Sequence, residues 1–339
     1  MSYLDTFWFW CVPVLGLMIG SFLNVVGLRF LSEESITFPA SHCTHCNTPI
    51  KPYDNIPVLS YLLLGAKCRS CKVPISIQYP LIELLTAVLF TACYWIGGWQ
   101  WGTLFLWFLM ANLVVIIITD ARESLIFQIN SLSLVPAGLL FNFFDLGHRA
   151  LGTWTLNLGL LTVDFPMSFT DALLGILVGL LLFEGMILLS QLFLGTDGFG
   201  HGDTHLMMGV GAFIGWQGCL LAIVLGFILQ SLMAIPIMVI QWIKAKDYLS
   251  LGTGGAGVAF GLLPLWLSEL KLSQGMLTMA LLACMGATLT CLIIFLLQIK
   301  KRQSFTYMPL GPALVLGSLI VLFLGDSFVS SIAKIFHLA

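Results

Sequence analysis

Two aspartates stand where an apolar chain should not tolerate them. Asp120 closes the run Leu113-Val-Val-Ile-Ile-Ile-Thr-Asp, and Asp203 ends the stretch Gly195-Thr-Asp-Gly-Phe-Gly-His-Gly-Asp between two strongly apolar segments. An ionised carboxylate inside hydrocarbon costs about 2.5–3.5 kcal/mol on insertion scales, so an acid at a membrane boundary is by default a candidate for function. Gly198, Gly200 and Gly202 leave the approach to Asp203 almost bare of side chains, and another backbone can come close there. Two carboxyls within hydrogen-bonding range hold one proton between them. The ionised member can take a proton from water while the neutral member donates to a scissile carbonyl, which is peptide hydrolysis without a covalent intermediate. The chain has no G-x-S-x-G and no H-E-x-x-H to compete with that chemistry. Two other readings stay open: Asp203 has the position of a helix cap ahead of Thr204, and His201, Asp203, His205 and Asp120 have the donor types of a metal site.

A second chemistry is written in cysteine. Cys43-Thr-His-Cys46 and Cys68-Arg-Ser-Cys71 are separated by 21 residues, the spacing of a four-thiolate zinc site. Four thiolates leave no open position, so the metal is structural, and its binding supplies the folding energy that so short a loop lacks. In a reducing compartment disulfides are disfavoured. His42 and His45 stand beside the first pair as substitute ligands or as solvated loop residues. The other five cysteines, Cys11, Cys93, Cys219, Cys284 and Cys291, are scattered through apolar runs as small buried hydrophobes.

The elements that must position these groups are membrane spans. With 59% hydrophobic and 9% charged residues and a mean hydropathy of +1.00, the chain reads as an all-α polytopic membrane protein of about 8–10 transmembrane helices. Apolar runs begin near Phe7, Pro80, Trp101, Gln128, Asp171, His205, Val224, Gly255, Gly275 and Pro309. The segment His205 to Trp242 reads as two spans or as a short half-helix followed by one long span. With the N-terminus outside, eleven of the fourteen Lys and Arg residues fall on the inner side, as the positive-inside rule requires. That topology puts the cysteine loop, Asp120 and Asp203 at the cytoplasmic face. The expected divisions are a first span at 1–30, a tetracysteine module at 31–79, a membrane core at 80–243, two extra spans at 244–300 and a last span at 301–339. A net charge of −2 argues against nucleic acid as a partner.

Three further acids and a glycine run need a place. Glu83 begins the second span and is expected to pair with a loop Lys or Arg or to orient the cysteine module, whereas Arg122 and Glu123 are expected in solvent. Glu184 falls in the middle of the fifth span, with no partner legible in the sequence. Gly252-Thr-Gly-Gly-Ala-Gly257 reads as an inter-span turn, since neither a strand nor a Lys-Ser/Thr ending frames it.

Taken together in order, Gly20-Ser-Phe-Leu-Asn-Val-Val26, the four-cysteine loop with Tyr53-Asp-Asn-Ile-Pro-Val-Leu-Ser60, Tyr79-Pro-Leu-Ile-Glu83, Asp120, Gly200-His-Gly-Asp203, Gly211-Ala-Phe-Ile-Gly-Trp216 and Pro309-Leu-Gly-Pro312 resemble the type IV prepilin peptidases. The resemblance implies an aspartyl pair at Asp120 and Asp203, and an active-site loop of Gly198, Gly200, Gly202 and His205. It also implies a zinc module at Cys43, Cys46, Cys68 and Cys71. The implied substrates are prepilins or pseudopilins, cut on the cytoplasmic side of the bacterial inner membrane. N-methylation of the new N-terminus with S-adenosylmethionine is likewise implied by the resemblance alone.

The chain departs from the family pattern at several positions. His205 stands where members usually carry Lys, Ile126-Phe127 where isoleucine-proline is common, and Glu184 in a normally apolar span; residues 244–300 look like an insertion. Two other classes compete with the peptidase reading: a proton-coupled transporter using Asp120, Glu184 and Asp203 as a relay, and a pilin-assembly scaffold that does not cut. Membrane lipid is a partner under each of these readings; the oligomeric state is not written in the sequence.

Overall fold

The structure is a computed structural model, and it describes residues 3–146, 154–157, 162–165, 168–195, 199–244, 252 and 309–335. The helices are α1 (Tyr3–Ser32), α2 (Leu59–Leu63), α3 (Gln78–Gly97), α4 (Trp101–Glu123), α5 (Gln128–Leu132), α6 (Leu134–Phe143), α7 (Phe169–Leu194), α8 (His201–Lys244) and α9 (Gly311–Ile335). A two-stranded antiparallel hairpin, β1 (Trp154–Asn157) with β2 (Thr162–Phe165), is the exception to the helical architecture. The chain divides into two compact units. One comprises Met1–Leu188, Phe199–Ile228 and Pro309–Ala339, and the other Leu189–Gly198 and Leu229–Met308. The site lies in the first.

Among the described residues, five helices are long and apolar enough to cross a membrane: Trp10–Ser32, Gln78–Gly97, Trp101–Glu123, Phe169–Leu192 and His201–Ile237. This is a multi-pass membrane protein. The expected span from Gln128 is instead two short helices, α5 and α6, of 5 and 10 residues. The run from His205 is one helical segment interrupted at Gly215, whose φ of 68° and ψ of −179° leave the helical region; it matches the half-helix alternative rather than two separate spans. The break frees carbonyls, and the buried Asn142 amide of α6 donates to Ala212 O at 2.8 Å, as a broken membrane helix requires. The runs from Gly255 and Gly275, and Gly198, lie outside the described residues.

The centre of the bundle is α4. Of its most apolar window 72% is buried against 28% for α7, so α4 is enclosed by protein and α7 faces outward. Glycines set how closely the helices pack. A Cβ on Gly16 or Gly20 of α1 would lie 2.6 Å from Ala87 Cα or 2.8 Å from Glu83 Cα of α3, so these two positions let the backbones touch. Asn24, fully buried one turn later, donates to the Tyr79 carbonyl at 3.2 Å. The Gly20-to-Asn24 motif is thus the seam between α1 and α3. At the α3–α4 turn, Trp95, Trp99 and Trp101 are exposed, in keeping with the aromatic belt of a membrane boundary.

Candidate active site and metal centre

Asp120 lies in the last turn of α4 and is 4% exposed; Asp203 lies in the first turn of α8 and is 8% exposed. Their local setting follows from the sequence. α4 ends because Ser124 turns left-handed at φ 54° and returns its amide to the Asp120 carbonyl at 2.9 Å. α8 begins at His201, where the Asp203 amide donates to Gly200 O at 3.1 Å. Gly202 is held close to the strand of chain leaving α4: a Cβ there would sit 2.7 Å from Ile126 Cβ. The structure therefore brings both aspartates to one end of the bundle: Gly202, the neighbour of Asp203, packs on Ile126 just beyond the end of α4 that carries Asp120. Among the described residues no hydrogen bond joins the two carboxyls directly.

The backbone amide of Gly311, the first residue of α9, donates to Asp120 Oδ2 at 2.8 Å. A Cβ at Gly311 would lie 2.6 Å from that oxygen, so no larger residue can make this contact undisturbed. A helix N-terminus with unpaired N–H groups is a natural seat for a carboxylate. The sequence marks Pro309 as the start of the last apolar run but carries no signal that this segment touches Asp120.

Glu184 has partners. Its Oε1 accepts from His201 Nδ1 at 3.0 Å and from the Thr204 hydroxyl at 3.1 Å. His205 is partly buried, and its Nδ1 has no hydrogen-bond partner among the described residues. The metal-site reading of His201, Asp203, His205 and Asp120 finds no support: among the described residues, only the cysteines bring three or more candidate ligand atoms together.

The sulfurs of Cys43, Cys46, Cys68 and Cys71 all lie within 4.8 Å of one another. Cys43 Sγ and Cys71 Sγ are 3.8 Å apart. A tetrahedral site with metal–sulfur bonds of about 2.3 Å has sulfur–sulfur edges of about 3.8 Å, so the donor set fits a metal ion, and all four thiols are free of disulfides. Each pair sits on the same turn. The Cys43 amide donates to Thr48 O and the Asn47 amide to Cys43 O; correspondingly, the Cys68 amide donates to Val73 O and the Lys72 amide to Cys68 O. Asn47 and Lys72 both adopt positive φ, 54° and 59°. The two turns are an internal repeat, Cys-x-x-Cys-x-x-Pro-Ile at residues 43–50 and 68–75. That repeat, overlooked when only the cysteine spacing is read, identifies the paired turns directly. The thiols titrate unequally: the side-chain and backbone hydrogen bonds of Thr48 pull the Cys46 thiol down to about 6, while desolvation and the neighbouring cysteines push Cys71 up to about 11.

Polar contacts tie this module to the helices. Within the module, Arg69 clasps both oxygens of Asp54, at 2.7 and 2.5 Å. Buried Arg29 at the end of α1 donates to the carbonyls of Ser35, Ile36 and Pro39. Glu83, 5% exposed, accepts the Val58 amide at 2.7 Å and also bonds Ser21, which is the orienting role expected of it. Val58 itself is β-branched and held at φ 60°, ψ −49°, a strained conformation. Arg122 is exposed but not merely solvated, since it donates to Gln78 Oε1 at 2.9 and 2.7 Å. Between the module and the ends of α1 and α3 lies a cavity of about 730 Å³, lined by Ser21, Arg29, His42, Asp54, Tyr79 and Glu83 among others.

Residues 14–96 match the model of the bacterial peptidase A24 N-terminal domain, and residues 107–235 match that of the type IV leader peptidase family. A prepilin leader peptidase/N-methyltransferase of Aeromonas hydrophila is 33% identical over 258 residues, covering 69% of this chain and 82% of that protein. The chain belongs to the type IV leader peptidase family. Family proteins of the same description from Neisseria gonorrhoeae and Myxococcus xanthus are 36% and 38% identical over 239 and 213 residues. These alignments cover 63% and 61% of this chain. The chain spans 77% of the Neisseria protein and little more than half, 56%, of the Myxococcus one. No solved structure matches. The boundary between the two family models falls between α3 and α4, so the cysteine module belongs to the first and both aspartates to the second.

Proposed function

We propose that this chain is a membrane aspartic endopeptidase that removes the leader peptide of type IV prepilins or type II secretion pseudopilins and then N-methylates the new N-terminus. The observation that carries the reading is the burial of two aspartates, from separate helices, at one end of the bundle. Family membership and the relatives' shared description support it. Asp120 and Asp203 are the catalytic pair. With one proton between them, the ionised carboxyl takes a proton from the attacking water and the neutral one protonates the scissile carbonyl oxygen. Gly200, Gly202 and His205 line the approach, with Gly198 ahead of them in the chain. The peptidase face is cytoplasmic, in the inner membrane, as the distribution of Lys and Arg supports.

Zinc is the metal we assign to Cys43, Cys46, Cys68 and Cys71, because four thiolates at tetrahedral spacing suit it and leave no open position. S-adenosylmethionine, when bound, supplies the methyl group. The cavity beside the module mixes Arg29, Asp54 and Glu83 with Tyr79, a lining suited to a zwitterionic amino acid joined to a nucleoside. A transporter relay needs acids spaced through the membrane. Glu184 is instead bonded to the two residues that flank Gly202-Asp203 on either side, so the three acids gather at one level. The test is incubation of the purified protein with a prepilin and mass spectrometry of the product N-terminus. Cleavage at the leader junction with an added methyl group is expected; an intact substrate would reject the reading.

A further inference from the structure

We infer that Glu184 is a positioning residue that braces the first turn of α8 and so aims Asp203, an inference that rests on the peptidase reading above. The geometry is specific. One oxygen of Glu184, on α7, accepts from both His201 Nδ1 and Thr204 Oγ1. These two residues bracket Gly202 and Asp203, so the brace holds the catalytic segment at both ends. The segment is also confined at Gly202, where an added Cβ would lie 2.7 Å from Ile126 Cβ. Thr204 is fully buried, which fixes its hydroxyl toward α7. Further along the same pair of helices, a Cβ on Gly175 would lie 2.2 Å from Gly211 O, and one on Gly179 would lie 2.6 Å from the Met207 carbonyl carbon. Backbone-to-backbone packing of this kind leaves α7 little freedom to slide along α8. Glu184 is therefore delivered to the start of α8 by a stiff helix pair.

This assigns a purpose to an acid that the apolar character of α7 would otherwise exclude. A carboxylate that accepts two donors is retained because losing it releases both of them. A displacement of about 1 Å in a catalytic group costs about 10²-fold in rate, and the first turn of a helix that follows Gly198 and Gly200 and itself contains Gly202 is prone to such displacement.

The experiment compares steady-state prepilin cleavage by full-length variants in nanodiscs, with bound metal measured as a check on folding. Glu184→Leu should lower kcat by about 10- to 100-fold while changing KM by less than about twofold. Glu184→Gln keeps an acceptor oxygen and should recover most of the loss. His201→Ala should cost less than Glu184→Leu and add nothing to it. If Glu184→Leu does not accumulate, the near-isosteric Thr204→Val combined with His201→Ala removes both donors and should reproduce the slow kcat. Wild-type kcat in Glu184→Leu or in the double variant would overturn the brace, and so would a Gln variant as slow as the Leu variant. A wild-type protein that cuts no prepilin would instead remove the peptidase reading itself.

Discussion

The Gly311 amide and the Asp120 carboxylate meet at 2.8 Å although 191 positions separate them in the chain. The start of the last helix thus completes the surroundings of an acid on the fourth, and the contact depends on the absence of a side chain at Gly311.

Gly311→Ala should therefore impair cleavage far more than its size suggests. The added methyl would fall 2.6 Å from Asp120 Oδ2, so either the carboxyl or α9 must move. A fall in kcat of about 10²-fold, with the cysteine-bound metal retained, is the expected outcome. Unchanged turnover would mean that Asp120 needs no help from α9.

Asp120→Asn and Asp203→Asn should each remove cleavage by about 10²- to 10⁴-fold, the range for a lost general acid or base. Both side chains keep their volume, so the proteins should accumulate in the membrane and bind metal normally. A peptide already bearing the mature N-terminus should still be methylated by both variants. Cleavage at the normal rate by either one would exclude the paired-acid mechanism.

Stripping the metal, or replacing Cys46 or Cys71 by Ser, should unfold the cysteine module. In small finger peptides such binding contributes about 10–16 kcal/mol, more than a module of this size can replace from its own contacts. Elemental analysis should find one zinc per chain in the wild type and little in the variants. Limited proteolysis should then cut between residues 41 and 75, and methylation should fall before cleavage does. A metal-free wild type with an intact, protease-resistant module would overturn the zinc assignment.

Glu83→Ala leaves the Val58 amide without its acceptor, a loss of about 1–3 kcal/mol for a buried group, and should lower methylation more than cleavage. Val58→Gly is the opposite probe. It keeps the bond to Glu83 while relieving a left-handed β-branched residue, and should stabilise the module by about 1 kcal/mol. Chemical denaturation followed by a probe in the module reads both signs; a destabilised Val58→Gly would show that the Val58 side chain matters more than its backbone.

Local chemistry is what the sequence determined unaided. Apolar runs of spanning length, thiols paired inside one turn and acids set against hydrocarbon each express themselves within a few residues. For that reason the membrane class, the cysteine site and the two aspartates could all be read from the one-dimensional chain. The orienting part assigned to Glu83 follows from its place at a span end for the same reason. Only the tertiary structure decided which distant groups meet. Glu184 seemed a lone acid because its partners lie 17 and 20 residues away on another helix, and the donor to Asp120 belongs to α9. Such contacts depend on how closely helices approach, which is set by glycines on facing surfaces. No spacing along the chain records which surfaces face each other. The interruption at Gly215 is of the same kind, because a membrane helix breaks where a neighbour such as Asn142 can satisfy the freed carbonyls, and that neighbour is 70 residues away.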